Sequence, residues 1–168
     1  MKRTVLPLVG TAFELGKMNE AIEQIEDKEL AEIARGEIYY FSARASECVD
    51  TIKKYLTSED RMLRLSADML YAFANLTLGN AKEAQMARED VRQCLQKSLN
   101  EEDSTETTKA ACIFAYYLCS IFLHIEPEIG FPSLEKTIGH LPEGQRLFAV
   151  SVLAHAMYLK QEYAKAQG

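Results

Sequence analysis

The sequence predicts an all-α fold, a right-handed superhelix, or α-solenoid, of stacked helical hairpins. Two observations point there first. Leu15-Gly16-Lys17-Met18-Asn19-Glu20-Ala21 and Leu78-Gly79-Asn80-Ala81-Lys82-Glu83-Ala84 repeat one phrase, Leu-Gly-x-x-x-Glu-Ala, which reads as a helix ending at glycine and a second helix starting just after it. Strong helix formers dominate the chain, and Gly and Pro fall where boundaries are expected.

Two more stretches fit the same template. Ala43-Arg44-Ala45-Ser46-Glu47-Cys48 lies over Gly79 to Ala84, and Gln161-Glu162-Tyr163-Ala164-Lys165-Ala166 does so near the C-terminus. The small residues that close these phrases, Ala21, Cys48, Ala84 and Ala166, are spaced for about five irregular units of tetratricopeptide-like or slightly longer length. The reading is one tetratricopeptide-like domain over residues 1–168, which stops within its fifth hairpin and therefore continues in the natural protein.

Taken in order, the first helix is expected from about Thr4 to Leu15, with Pro7 in its first turn and Gly16 as its stop. A short helix follows over about Asn19 to Glu26, then one from Lys28 to Phe41 containing Gly36. A glycine costs helix stability unless a neighbouring helix needs the space. Gly36, Ala72 and Ala154 take equivalent close-packed places when the units are superposed.

Ala45 to Leu56 forms the next helix, and Ser58 is the expected cap of a long helix from Arg61 to Leu78. Ala81 to Leu99 carries an apolar stripe of helical period through Ala84, Ala87, Val91, Cys94 and Leu95. The helix of about Thr107 to Ile125 is nearly continuously apolar from Ala110 to Leu123, as for a helix buried between layers. Pro127, Gly130 and Pro132 break the pattern. A short helix near Ser133 to Ile138 and a longer one from about Glu143 to Lys160 complete the chain.

Composition narrows the function. With 19 Lys and Arg against 25 Asp and Glu, the net charge is -6 and no basic cluster forms, so this segment is not expected to bind nucleic acid directly. Glu101-Glu102-Asp103 reads as a solvated loop. Val5 to Val9 is too short for a secretory signal, and no long apolar run spans a membrane, so a cytoplasmic location is expected. The four cysteines, Cys48, Cys94, Cys112 and Cys119, lack metal-ligand spacing and read as small buried hydrophobes.

No phosphate-binding loop, nucleophile elbow or zinc-protease pair occurs, and His124, His140 and His155 fall on separate elements. The expectation is a protein that is not an enzyme and needs no cofactor or metal. Its function then lies in a surface. The first helix of each hairpin lines the concave side of such a stack, which places Glu37, Tyr40, Phe73, Leu76, His155 and Tyr158 inward, with Ile33, Met69 and Ser151 one turn earlier. The fourth unit adds Cys112, Tyr116 and Cys119. Aromatic groups beside one acid and one histidine suit a peptide, a protein segment or a small amphipathic effector.

Gly36-Glu37-Ile38-Tyr39-Tyr40-Phe41-Ser42, Leu70-Tyr71-Ala72-Phe73-Ala74-Asn75-Leu76-Thr77-Leu78-Gly79 and Leu141-Pro142-Glu143-Gly144-Gln145-Arg146-Leu147-Phe148-Ala149 resemble the helical-repeat N-terminal region of bacterial LuxR-type transcription regulators. The resemblance implies a sensor and protein-interaction domain that binds a ligand or partner in its groove, with DNA contacted only through a C-terminal helix-turn-helix outside this chain. It supplies no catalytic residues. A freestanding tetratricopeptide-like adaptor that holds peptides is the other function consistent with the residues.

Overall fold

The structure is a computed structural model and describes residues 15–126, 134–141, 145–154 and 158. All its described elements are helical. They are α1 (Leu15–Glu23), α2 (Lys28–Phe41), α3 (Ala45–Ile52), α4 (Arg61–Thr77), α5 (Ala81–Asn100), α6 (Glu106–Phe122) and α7 (Leu134–Thr137), with helical residues again at 145–154. Short 3₁₀ turns, Lys53–Tyr55 and Ile138–His140, extend α3 and α7.

Side-chain caps start α2, α4 and α6, the three helices flanked by α3 and α5 and called the inner helices. Asp27 Oδ1 accepts from the backbone N–H groups of Glu29 and Leu30 at 3.1 and 3.2 Å and opens α2. Asp60 does the same for α4 through Met62 and Leu63, at 2.9 and 3.0 Å. Thr105 accepts from the Thr108 N–H at 3.1 Å ahead of α6. Each side chain satisfies donors that a helix start leaves open. Ser58, the cap expected from sequence, instead accepts the Asp60 N–H at 3.2 Å and so holds the capping residue in place.

The packing is layered. Helices α2, α4 and α6 lie side by side, α3 covers α2 and α4, and α5 covers α4 and α6, while α3 and α5 do not pack on each other. A shared core of Ile33, Ile52, Leu63, Met69, Leu95 and Phe114 lies between the layers. Helix α6 is buried without a break from Ala110 to Tyr116, as its continuous apolar run requires, and Phe114 meets Phe148 edge to face at 5.9 Å. Helix α1 joins through a small separate cluster of Ile22, Ala34 and Ile38.

Three expectations need correction. Gly16 does not end a helix, because α1 runs through it to Glu23, so the two copies of the repeated phrase adopt different structures. The long apolar helix stops at Phe122 and not at Ile125. Ala154 is exposed, whereas Gly36 and Ala72 are buried, so the proposed equivalence of the three holds only for the first two. The expected helix of Thr4 to Leu15 lies almost wholly outside the described residues.

Candidate functional site

The inner helices end in the same way. After α2 the N–H of Ala43 donates to the Tyr40 carbonyl and that of Arg44 to the Tyr39 carbonyl; after α4, Gly79 donates to Leu76 and Asn80 to Asn75; after α6, His124 donates to Ile121 and Ile125 to Ser120. In each turn the first of these donors has positive φ, 59° at Ala43, 80° at Gly79 and 53° at His124. This is the Schellman arrangement, in which a left-handed residue lets the chain close over the last carbonyls. The three turns give an internal register for the three helices that does not depend on side-chain similarity.

In that register the ends of the inner helices carry a line of aromatic rings. Phe41 touches Tyr40 with centroids 5.6 Å apart, Tyr40 reaches across to Phe73 on α4 at 5.8 Å, and Phe73 stacks on Phe122 of α6 at 4.4 Å with planes 27° apart. Offset and edge contacts of this kind are favourable beyond the area they bury. The middle of the line is covered, with Phe73 only 5% exposed, but its ends are open: Phe41 is 55% and Phe122 37% exposed. Leu76, one helical turn beyond Phe73, and Leu78 are also exposed. An open apolar strip therefore crosses α2, α4 and α6. Large exposed apolar side chains gathered in one strip, unlike ones scattered singly, make it a candidate recognition surface.

Burial pushes the Tyr40 hydroxyl above its ordinary range, against the opposing contact of the Thr77 hydroxyl. Tyr40 thus stays protonated at neutral pH and can offer its O–H. The strip supplies ring faces, ring edges and this hydroxyl, which suits binding of an apolar or amphipathic segment.

The residues expected to line the groove do not come together on one surface. Leu76 and the half-buried Tyr40 fall on the strip, and Phe73 is covered beneath its middle. Glu37 is 2% exposed, Met69 2% and Tyr116 fully covered, so these three lie inside the helix packing and are not presented on a surface. Ile33, Cys112 and Cys119 are likewise fully buried. Counting back from the left-handed residues shows why α6 was misaligned: Leu118 and Ile121 correspond to Glu37 and Tyr40, whereas Cys112, Tyr116 and Cys119 point into the core. Ser151 and Tyr158 are exposed on the C-terminal helical segment, and His155 lies outside the described residues. Phe41 and Phe122, the most accessible rings of the line, were missed; both stand two residues before the left-handed position.

Buried polar groups lie deeper in the same packing. Arg88 of α5, 9% exposed, donates to the Tyr116 hydroxyl at 3.1 Å and to Ser120 Oγ at 3.2 Å, with its guanidinium 5.1 Å from the Tyr116 ring centroid. Arg61 at the start of α4 grips Glu101 through two contacts of 2.5 and 2.7 Å, so the acidic segment after α5 is partly an interhelical tie. A cavity of about 260 Å³ opens beside α4 and α5, bordered by Arg64, Asp68, Asp90, Cys94 and Lys97.

No family model matches the chain, and no curated protein or solved structure matches it either. Among the described residues no helix is long and apolar enough to cross a membrane.

Proposed function

We propose that the chain is a recognition domain of the helical-repeat type, a right-handed stack of tetratricopeptide-like hairpins, whose binding surface is the aromatic strip over α2, α4 and α6. The observation that carries this reading is the contact chain Phe41, Tyr40, Phe73 and Phe122, which draws on all three inner helices and leaves both ends open. Its occupant is an apolar or amphipathic segment of a protein or peptide, seated against the rings as side-chain anchors are in other interfaces.

The resemblance to LuxR-type regulators supports a sensor role: occupancy of the strip alters how the hairpins pack and so biases an attached DNA-binding domain. A ligand can do this only if it binds two arrangements with different affinity. Reading the gene beyond the codon for Gly168 separates regulator from adaptor. An in-frame basic helix-turn-helix supports the regulator, and a frame that holds none supports a freestanding adaptor.

Binding itself is tested with peptides selected from a random display library on the wild-type protein. Their affinity for Phe122→Ala and Phe41→Ala proteins should fall about tenfold or more, corresponding to about 1.4 kcal/mol. Equal affinity for wild type and both variants overturns the assignment of the strip.

A further inference from the structure

The sequence places Cys94 and Cys112 far apart, on helices of different hairpins, yet packing of α5 on α6 brings their sulfurs to 3.9 Å. Both are free thiols. Cys94 borders the 260 Å³ cavity, whereas Cys112 is fully buried behind it. Arg64 borders the same cavity, and Arg61 lies close enough to act on both sulfurs.

We propose that Cys94 is a site of oxidation by small hydroperoxides, with Cys112 as its resolving partner, and that the product is a disulfide joining α5 to α6. A reactive cysteine needs a stabilised thiolate, a route for the oxidant and a second thiol in reach. Cys94 has all three: the two guanidiniums, the cavity and Cys112. The hydrogen bond shared with the Cys112 thiol and the nearby Arg61 and Arg64 draw the Cys94 thiol below its ordinary range against burial and against Glu101, and the same contact raises Cys112. Cys48 and Cys119 differ, since burial pushes Cys48 up to about 12 and raises Cys119 as well.

The chemistry balances with one equivalent of peroxide. The Cys94 thiolate attacks a peroxide oxygen, the O–O bond breaks, and the departing hydroxide takes up a proton as water, leaving Cys94 as a sulfenic acid. The Cys112 sulfur then attacks Cys94 sulfur, the S–O bond breaks, and hydroxide leaves with the Cys112 proton as a second water. Two thiols are oxidised and one peroxide is reduced. Closing from 3.9 Å to the roughly 2.05 Å of a disulfide requires side-chain rotation and a small adjustment of the two helices. The bond would tie the second helix of one hairpin to the first of the next.

The test treats the folded full chain with a small excess of hydrogen peroxide and maps the product after chymotryptic digestion under non-reducing conditions. Chymotrypsin is suited because Phe114, Tyr116 and Tyr117 separate Cys112 from Cys119. The expected result is loss of two of the four thiols and recovery of a Cys94 to Cys112 cross-link. Before oxidation, iodoacetamide should label Cys94 at least about tenfold faster than Cys48 or Cys119. In Cys112→Ser protein, dimedone should trap Cys94 as the sulfenic acid. The proposal is overturned if the cross-link forms only after unfolding in urea, if Cys48 or Cys119 reacts as fast, or if Cys94 is carried to sulfinic acid without pairing. The wild-type map decides the matter even if the variant does not fold.

Discussion

Gly36 of α2 lies directly against Ile52 of α3, so that a Cβ at position 36 would stand 2.5 Å from Ile52 Cγ2. Ile52 is fully buried and has no room to swing away, whereas Leu70 Cδ1 at 3.8 Å is at ordinary contact. Two effects oppose each other in Gly36→Ala. Alanine gains about 1 kcal/mol of helix propensity, and overpacking costs about 1–3 kcal/mol. Because the clash is with a fixed side chain, the cost should win, and urea unfolding should show a net loss of stability. In an Ile52→Ala background, which removes Cγ2, the same change should become neutral or stabilising. A loss of equal size in both backgrounds would show that Ile52 is not what excludes a side chain there.

The contact of Arg88 with Tyr116 should couple energetically. Tyr116→Phe keeps the ring but removes the hydroxyl that accepts from Arg88, leaving the buried guanidinium with Ser120 as its remaining acceptor in this group. The expected loss is about 1–3 kcal/mol, in the range for a buried hydrogen bond to a charged group. A double-mutant cycle with Arg88→Met should give a coupling energy of about 0.5–3 kcal/mol, read from denaturant midpoints. Strict additivity would mean that the 3.1 Å contact contributes nothing to folding.

Asp68 makes stability depend on pH. Its carboxyl is 2% exposed, Oδ2 has no hydrogen-bond partner, and burial, helped by Asp90, pushes its pKa up to about 8 against the opposing Arg64. Cys94 and Cys119 also act on it, and Lys97 borders the same cavity. With the folded value above the unfolded one, the folded state holds the proton more tightly. The stability from this group is therefore complete below about 3.8 and is lost as pH rises through about 8. Asp68→Asn should flatten this dependence: the wild type should lose stability relative to the variant between about pH 5 and about pH 9, with a slope of at most about 1.4 kcal/mol per pH unit. Parallel pH profiles would contradict the assignment.

Much of the helical layout is legible from local chemistry, and the failures have identifiable causes. The bounds of α2 and the start of α5 follow from apolar period and turn residues alone. The phrase Leu-Gly-x-x-x-Glu-Ala misleads at its first copy because the turn at Gly79 is supported by a pair that joins a variable position of the phrase to a residue before it. Asn80 Nδ2 donates to Asn75 Oδ1 at 3.0 Å, and Asn75 Nδ2 donates to the Tyr71 carbonyl at 3.0 Å. The first copy has Ala12 and Lys17 at those places and cannot make this pair. The end of α6 is hidden for a related reason, since the left-handed position is taken by His124, which carries no glycine signal. That hidden turn shifted the register of α6, brought Tyr116 onto the expected surface and left Phe122 off it. The juxtaposition of Cys94 with Cys112 depends on how two helices pack and leaves no trace in spacing.

The proposed binding surface is made by the open ends of the aromatic line. The most direct measurement is the affinity of library-selected peptides for wild type, Phe122→Ala, Phe41→Ala and, as an exposed control outside the strip, Met86→Ala, with helical content checked by circular dichroism. Met86 is 59% exposed on α5, so it controls for loss of any exposed apolar side chain. If the open ends of the line hold the peptide, the two phenylalanine variants stay folded and lose affinity about tenfold or more, while Met86→Ala binds as wild type does. Folded phenylalanine variants that retain full affinity, or a loss confined to Met86→Ala, would contradict it.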